Sequence, residues 1–194
     1  MASNLFKAAA VAGVALLATG HAQATEGPHV GPIKEYVNAN VMSWLSDPAV
    51  VSAIKAQNDK TAGMSAAQIE EMDQKWRAET GASDRPMIEG ILANDLSAFL
   101  KDKKNAAAGM ITEMFVMDAK GLNVGQSDVT SDYWQGDEAK WQKTYKVGPN
   151  AIFVDEIEKD ESTQTLQSQV SVSITDESGA PIGAITLGIN VDAL

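Results

Sequence analysis

The chain has 194 residues, 44% hydrophobic, with 15 Lys and Arg against 26 Asp and Glu, which gives a formal net charge of −11. Such acidity argues against nucleic acid and anionic lipid surfaces as partners, because both attract basic patches. Cysteine is absent and the two histidines are His21 and His29, so thiol chemistry, thiolate metal sites and a Ser-His-Asp relay in the body of the chain are excluded.

Met1 to Ala24 has one positive charge at Lys7, an apolar stretch from Ala8 to Ala18 and the small-residue ending Ala22-Gln23-Ala24. The apolar stretch is too short for a bilayer core of about 30 Å, and the ending suits signal peptidase. Residues 1–24 are therefore expected to be a cleaved secretory signal and the mature protein to be periplasmic.

Ile33, Val37, Val41 and Trp44-Leu45 recur at the three-to-four spacing of an amphipathic helix. Ser46-Asp47-Pro48 interrupts it, with Asp47 able to cap a second helix that has Pro48 in its first turn and Val50, Val51 and Ile54 on its buried side. Ser65-Ala66-Ala67-Gln68 has the form of a capping box, followed by Ile69, Met72 and Trp76. After a turn over residues 81–86, two shorter helical pieces are divided at Asn94-Asp95, and Lys101, Lys103 and Lys104 read as a solvated helix end.

Near Ile111 the periodicity changes to that of strands. Met114 to Met117 is a short apolar run, Asp118-Ala119-Lys120-Gly121 a turn and Leu122 to Ser127 a returning strand. Residues 132–146 depart from the strand pattern. Strands follow over 151–158, 166–175 and 182–191, hairpin-connected and hence antiparallel. The expected fold is α+β: residues 25–110 form the helical part and residues 111–194 the sheet part of one domain.

The long opening helix with its Asp47-Pro48 break, the strand Phe115-Val116-Met117-Asp118 with Gly121, the stretch Ser127…Asp132-Tyr133-Trp134…Trp141 and the closing Gly179…Ile182-Gly183-Ala184 strand together resemble the Cache family. These modules, also called PDC sensor domains, are extracytoplasmic and PAS-like, and they bind small ligands for chemoreceptors and histidine kinases. The resemblance implies a five-stranded antiparallel sheet with a long N-terminal helix and flanking helices. It also implies a pocket between the sheet and the segment joining the second and third strands. Carried onto this sequence, the pocket residues are Ser127, Asp132, Tyr133, Trp134 and Trp141, with Phe153 and Asp155 on the next strand. The joining segment lacks the Arg with which amino-acid-binding members hold a carboxylate.

If residues 134–145 were helical, Trp134, Glu138, Trp141 and Tyr145 would share one face. Such a face suits an amine or a planar neutral ligand, because an ammonium over an indole gains about 0.5–2 kcal/mol. The same stripe serves equally as a set of packing anchors. On the fourth strand Gln167, Gln169, Ser171 and Ser173 alternate with Val170, Val172 and Ile174, and Gln169 is the candidate from that polar row. The acidic run Asp155, Glu156, Glu158, Asp160 and Glu161 could attract a hard cation, but its spacing is not that of an EF-hand and a solvated strand end is the simpler reading.

The expected function is thus a periplasmic small-molecule sensor, using neither a cofactor nor a metal and not an enzyme, that signals to a membrane histidine kinase or chemoreceptor. The alternative is an interaction protein without a ligand, dimerising through its first helix.

Overall fold

The computed structural model describes residues 26–159 and 165–194. The expected signal at residues 1–24, and Asp160 and Glu161 of the acidic run, lie outside the described residues.

Six helices form along the first part of the described chain and in one later segment. Helix α1, Val30–Asn40, turns Ile33 and Val37 to the interior and leads into a 3₁₀ turn at Met42–Trp44. Asp47 then caps α2, Pro48–Thr61, accepting from the Ala49 amide at 2.9 Å. Helix α3, Ala66–Thr80, opens with the capping box formed by Ser65 and Gln68. Helix α4, Pro86–Leu92, has its first amides held by a side chain of α3: Glu79 accepts from Met87 and Ile88 at 2.8 and 3.0 Å. Asn94 caps α5, Asp95–Ala106.

Ala108 and Gly109, both at positive φ, turn the chain into β1, Ile111–Met117. The other strands are β2, Asn123–Gln126, β3, Ile152–Lys159, β4, Leu166–Thr175, and β5, Pro181–Asn190. They form one antiparallel sheet in the order β2-β1-β5-β4-β3. The α+β arrangement, the five antiparallel strands and the flanking helices are those expected. Strand β3 is an edge, and its register with β4 shifts at a bulge between Val154 and Ile157. Helix α6, Ala139–Gln142, lies between β2 and β3.

Alternation of side chains gives the sheet two unlike faces. Met114, Val116, Val170, Val172, Ile174, Ile185, Leu187 and Ile189 pack against Ile33, Val37, Val50, Ile54, Leu96 and Leu100 of α1, α2 and α5 in the main core. The other face carries Phe115 and Met117 of β1, Ala184 and Thr186 of β5, and Ser171 and Ser173 of β4; the segment 127–150 covers it. A second, smaller core of Ile69, Trp76, Ile88, Leu122 and Tyr133 joins α3 and α4 to the β1–β2 turn.

That turn is pinned by Asp118, which is fully buried. One carboxylate oxygen accepts from the Lys120 and Leu122 amides at 2.8 and 2.9 Å; the other takes the Thr61 hydroxyl at 2.9 Å and the Gln57 amide at 3.3 Å. Four donors around one carboxylate offset the cost of burying it. Gly121 sits at φ 80, and a side chain there would run into the backbone of Gly136, so the turn and the following segment approach at glycine on both sides.

Candidate functional site

Within the segment between β2 and β3 the chain departs from the expected amphipathic helix. Helix α6 covers four residues, and Trp134 instead bridges to Leu122 in extended form. Trp134, Glu138, Trp141 and Tyr145 therefore do not form one helical stripe. Trp134 is held from outside the segment: its amide and that of Tyr133 both donate to the Asp73 carboxylate of α3 at 2.9 Å. Two successive amides on one carboxylate fix the backbone in a way that local spacing does not reveal.

Asp73 also accepts from Arg77 at 2.7 Å, and the Arg77 guanidinium reaches the Asp132 carboxylate at 2.8 Å. Arg77 thus meets the segment, although it lies 55 residues before Asp132 in the chain. Beside this clamp the Tyr133 ring stacks on Trp76 with centroids 5.6 Å apart. Burial pushes the Tyr133 phenol well above its ordinary pKa, and the negative charge of Asp118 raises it further.

The indole nitrogens are occupied by the chain's own carbonyls. Trp134 donates to Lys120 at 2.9 Å and Trp141 to Asp118 at 3.1 Å; Trp141 stacks on Tyr145 at 5.1 Å. Ser127 is buried and accepts from the Met114 amide at 2.8 Å, closing the end of the β1–β2 pair. The main-chain carbonyl of Asp155 takes the His29 ring nitrogen at 3.0 Å and the Ser168 hydroxyl at 2.8 Å. Its carboxylate accepts from the neighbouring Glu156 amide at 2.9 Å. Gln169 donates to Glu113 at 2.9 Å, reaching across Gly188 of the intervening strand.

Of the eight sequence candidates, Trp141, Phe153 and Gln169 share the segment-covered side of the sheet. Asp132, Tyr133 and Trp134 belong to the α3 clamp, Ser127 to the β1–β2 end, and Asp155 to the β3 edge. The register places Phe115, Thr186, Ser171 and Phe153 side by side in one row across four strands. Ser171 and Thr186, both fully buried, share a hydrogen bond of 2.9 Å in the middle of that row. One step along, the Ser173 hydroxyl is buried with no hydrogen-bond partner among the described residues.

Lysines that no local pattern singles out lie above the row and beside it. Lys140, its side chain 13% exposed, pairs with Glu138 at 2.8 Å and stands 5.4 Å over the Phe115 ring. Lys143 stands 4.1 Å over Phe153, and Lys146 lies 5.1 Å over Trp141. The only trace of this in the sequence is the repeat of Lys every third residue from 140 to 146.

The segment has open ground beside it. A cleft of about 380 Å³ lies at the end of the sheet, lined by Tyr145, Lys120, Asn58 and Ile182 among others. Phe153 and Asp155 border a second, of about 280 Å³, toward His29 and Lys34. Among the described residues no helix is long and apolar enough to cross a membrane, and no group of three or more His, Asp or Glu side chains converges for a metal ion.

No protein-family model matches this chain, and neither does any curated protein. Solved structures do. The sensor domain of the Vibrio cholerae histidine kinase DctB is similar at 12% identity and TM-score 0.47, over 84% of this chain and 51% of that one. The ligand-binding domain of the Campylobacter jejuni chemoreceptor Tlp3, in complex with 4-methylisoleucine, is similar at 12% identity and TM-score 0.40, over 87% and 63%. That of the Pseudomonas fluorescens chemoreceptor CtaA, in complex with L-serine, gives 13% identity and TM-score 0.38, over 66% and 60%. The chain spans between half and two thirds of these structures, all of which are sensor or ligand-binding domains.

Proposed function

We propose that this chain is an extracytoplasmic sensor module that holds a small ligand between residues 127–145 and the hydroxyl-bearing face of the sheet, and signals its occupancy to a membrane histidine kinase or chemoreceptor. The role is one of binding, not catalysis. The observation that carries the reading is the Ser173 hydroxyl, buried and, among the described residues, unpaired beside the Ser171–Thr186 pair. A buried hydroxyl without a partner costs about 1–3 kcal/mol, a cost that a ligand's polar group would remove. The floor around it is built of small side chains, Ala184, Ser171 and Thr186, with Trp141 packed on it beside Phe115 and Met117.

An amine loses the ground that the expected helix gave it. Lys146 already stands over the Trp141 ring, and Lys140 and Lys143 over Phe115 and Phe153, the rings that border the floor. A neutral ligand with hydrogen-bonding groups competes with none of these lysines and matches the hydroxyls. Binding would act by population shift: a ligand that prefers one position of the segment stabilises it. The Asp73–Arg77–Asp132 clamp joins that segment to α3.

Thermal-shift screening of neutral, cationic and anionic metabolites, followed by calorimetry, tests the reading. A hit should lose its binding in Thr186→Leu, which fills the floor, while the variant keeps its far-ultraviolet dichroism. Retention of full affinity in that variant would place the ligand elsewhere and sink the proposal.

A second reading has its own support. Tyr133, Trp134 and Trp141 are tied by amides and indole nitrogens to the body of the chain, as packing anchors would be. On that reading the chain is an interaction protein that dimerises through its first helix. Sedimentation at increasing concentration separates the two: a dimer dissolved by charge substitution on α1, with no metabolite shifting the melting point, favours it.

A further inference from the structure

We infer that the chain carries a second ligand site, distinct from the sheet floor, for a small carboxylate with an apolar body: the cleft between α1, the 3₁₀ turn, the last turn of α5 and the start of β1. The cleft has a volume of about 260 Å³ and is lined by Tyr36, Trp44, Lys103, Ala107, Ile111 and Met114 among others. It lies on the helix-covered side of the sheet, so its occupant would touch none of the groups assigned to the sensor site.

Its base is apolar. Ile111 and Met114 are both buried, and the Trp44 indole spends its nitrogen on the Asn40 carbonyl at 2.9 Å, leaving only ring surface toward the cleft. The lip is polar and unsatisfied. The last part of α5 has three lysines that the sequence presents alike, and the structure separates them. Lys101 donates to the Leu92 carbonyl at 2.9 Å and Lys104 pairs with Asp128 at 2.6 Å.

Lys103 has neither a carboxylate nor any other hydrogen-bond acceptor among the described residues. Its ammonium is held 5.6 Å from the Trp44 ring centroid and 5.1 Å from that of Phe99. Trp44 and Phe99 are themselves edge-to-face at 5.7 Å. A lysine steadied by two rings and lacking an anion is a preset counter-charge. In a chain with net charge −11, it is a local exception.

Tyr36 supplies the second group. Its hydroxyl has no hydrogen-bond partner among the described residues, and burial raises its pKa, so it keeps its proton and can donate. A cation and a phenol donor above an apolar base select a monoanion with a hydrophobic part, not a sugar or a dication. An apolar cavity of about 150 Å³ accommodates benzene, so about 260 Å³ suits a body of one ring, or of four to six carbons, with its carboxylate at the lip.

The test uses the full chain and three probes of one shape: benzoate, benzyl alcohol and benzylamine, titrated calorimetrically with Trp fluorescence recorded in parallel. Benzoate should saturate, benzyl alcohol should bind about 10-fold more weakly and benzylamine weaker still. Lys103→Met keeps the aliphatic stem over the rings and removes the charge. It should cost benzoate about 10-fold in affinity while leaving benzyl alcohol within about 2-fold. Ala107→Leu, which fills the cleft, should weaken both probes, and Thr186→Leu should change neither. Melting curves on each variant confirm the fold, and Tyr36→Phe supplies an independent lesion should Lys103→Met fail to fold. The proposal is overturned if benzoate gives no saturable signal, if it binds Lys103→Met or Tyr36→Phe as tightly as the parent, or if Thr186→Leu abolishes its binding.

Discussion

The two faces of one sheet are built from the same strands and differ in almost every side chain. On the helix side Val170, Val172, Ile174, Ile185, Leu187 and Ile189 are all buried against α1, α2 and α5. On the other side their sequence neighbours Ser171, Ser173, Ala184 and Thr186 lie beneath a segment with a single four-residue helix. Burial of each large aliphatic contributes about 1.5–3 kcal/mol, so the first face sets the stability. The second draws its apolar burial from Phe115, Met117 and Trp141, which leaves its β4 and β5 positions free to carry hydroxyls. Such a division lets a floor keep polar groups, one of them unpaired among the described residues, without endangering the fold.

Substitutions of the β4 and β5 residues on the two sides should therefore differ in size. The largest loss is expected at the pin that ties α2 to the sheet: Asp118→Ala strands the Lys120 and Leu122 amides and removes an acceptor from Thr61 and Gln57, and should lower stability by about 4 kcal/mol in urea denaturation. Leu187→Ala, on the aliphatic side, should cost about 3 kcal/mol by the same measurement. Trp141→Ala, on the hydroxyl side, should cost about 3 kcal/mol, abolish ligand binding and leave a folded protein. Complete unfolding would show that the segment is as much core as the helices, and the contrast between the faces would fail.

Smaller effects sharpen the comparison. The double variant Ser171→Ala with Thr186→Val removes both members of a buried hydrogen bond at little change in shape, and should alter stability by less than about 1 kcal/mol. A loss as large as that at Leu187 would remove the distinction. The smallest effect is an alkaline one. Burial, then the charge of Asp118, raises the Tyr133 phenol above its unfolded value. Its contribution is therefore intact below about pH 10, the unfolded tyrosine value, and lost as pH rises through the folded one. Urea midpoints should hold steady up to about pH 9 and fall beyond about pH 10, with Tyr133→Phe flattening part of that slope and Tyr36 and Tyr145, raised in the same direction, carrying another part.

The helices and strands were legible because their signals are local. Asp47-Pro48, Ser65 with Gln68 and Asn94 each stand where a helix starts, and the alternation along Gln167 to Ile174 gives the two faces of β4 directly. Residues 134–145 were not legible. Helical spacing of their aromatics is overridden by Asp73, which lies some 60 residues away in sequence and holds the Tyr133 and Trp134 amides. The hydroxyl row was half visible: Ser171 shows in the pattern of β4, but its pairing with Thr186 depends on the register of β5. Lys140 gives no sign of its burial, since a lysine at that position reads as surface until the segment folds over Phe115.

The acidic run of β3 acquires a meaning once its place is known. Among the described residues its outward edge has no neighbouring strand, and Glu156, Glu158 and Lys159 are exposed there beside the bulge at Val154 to Ile157. Charge and a kink on an unpaired margin repel the backbone of another molecule that would otherwise add to it. Copies of this chain should then stay apart along that margin even when crowded, and any assembly they form must begin elsewhere on the molecule.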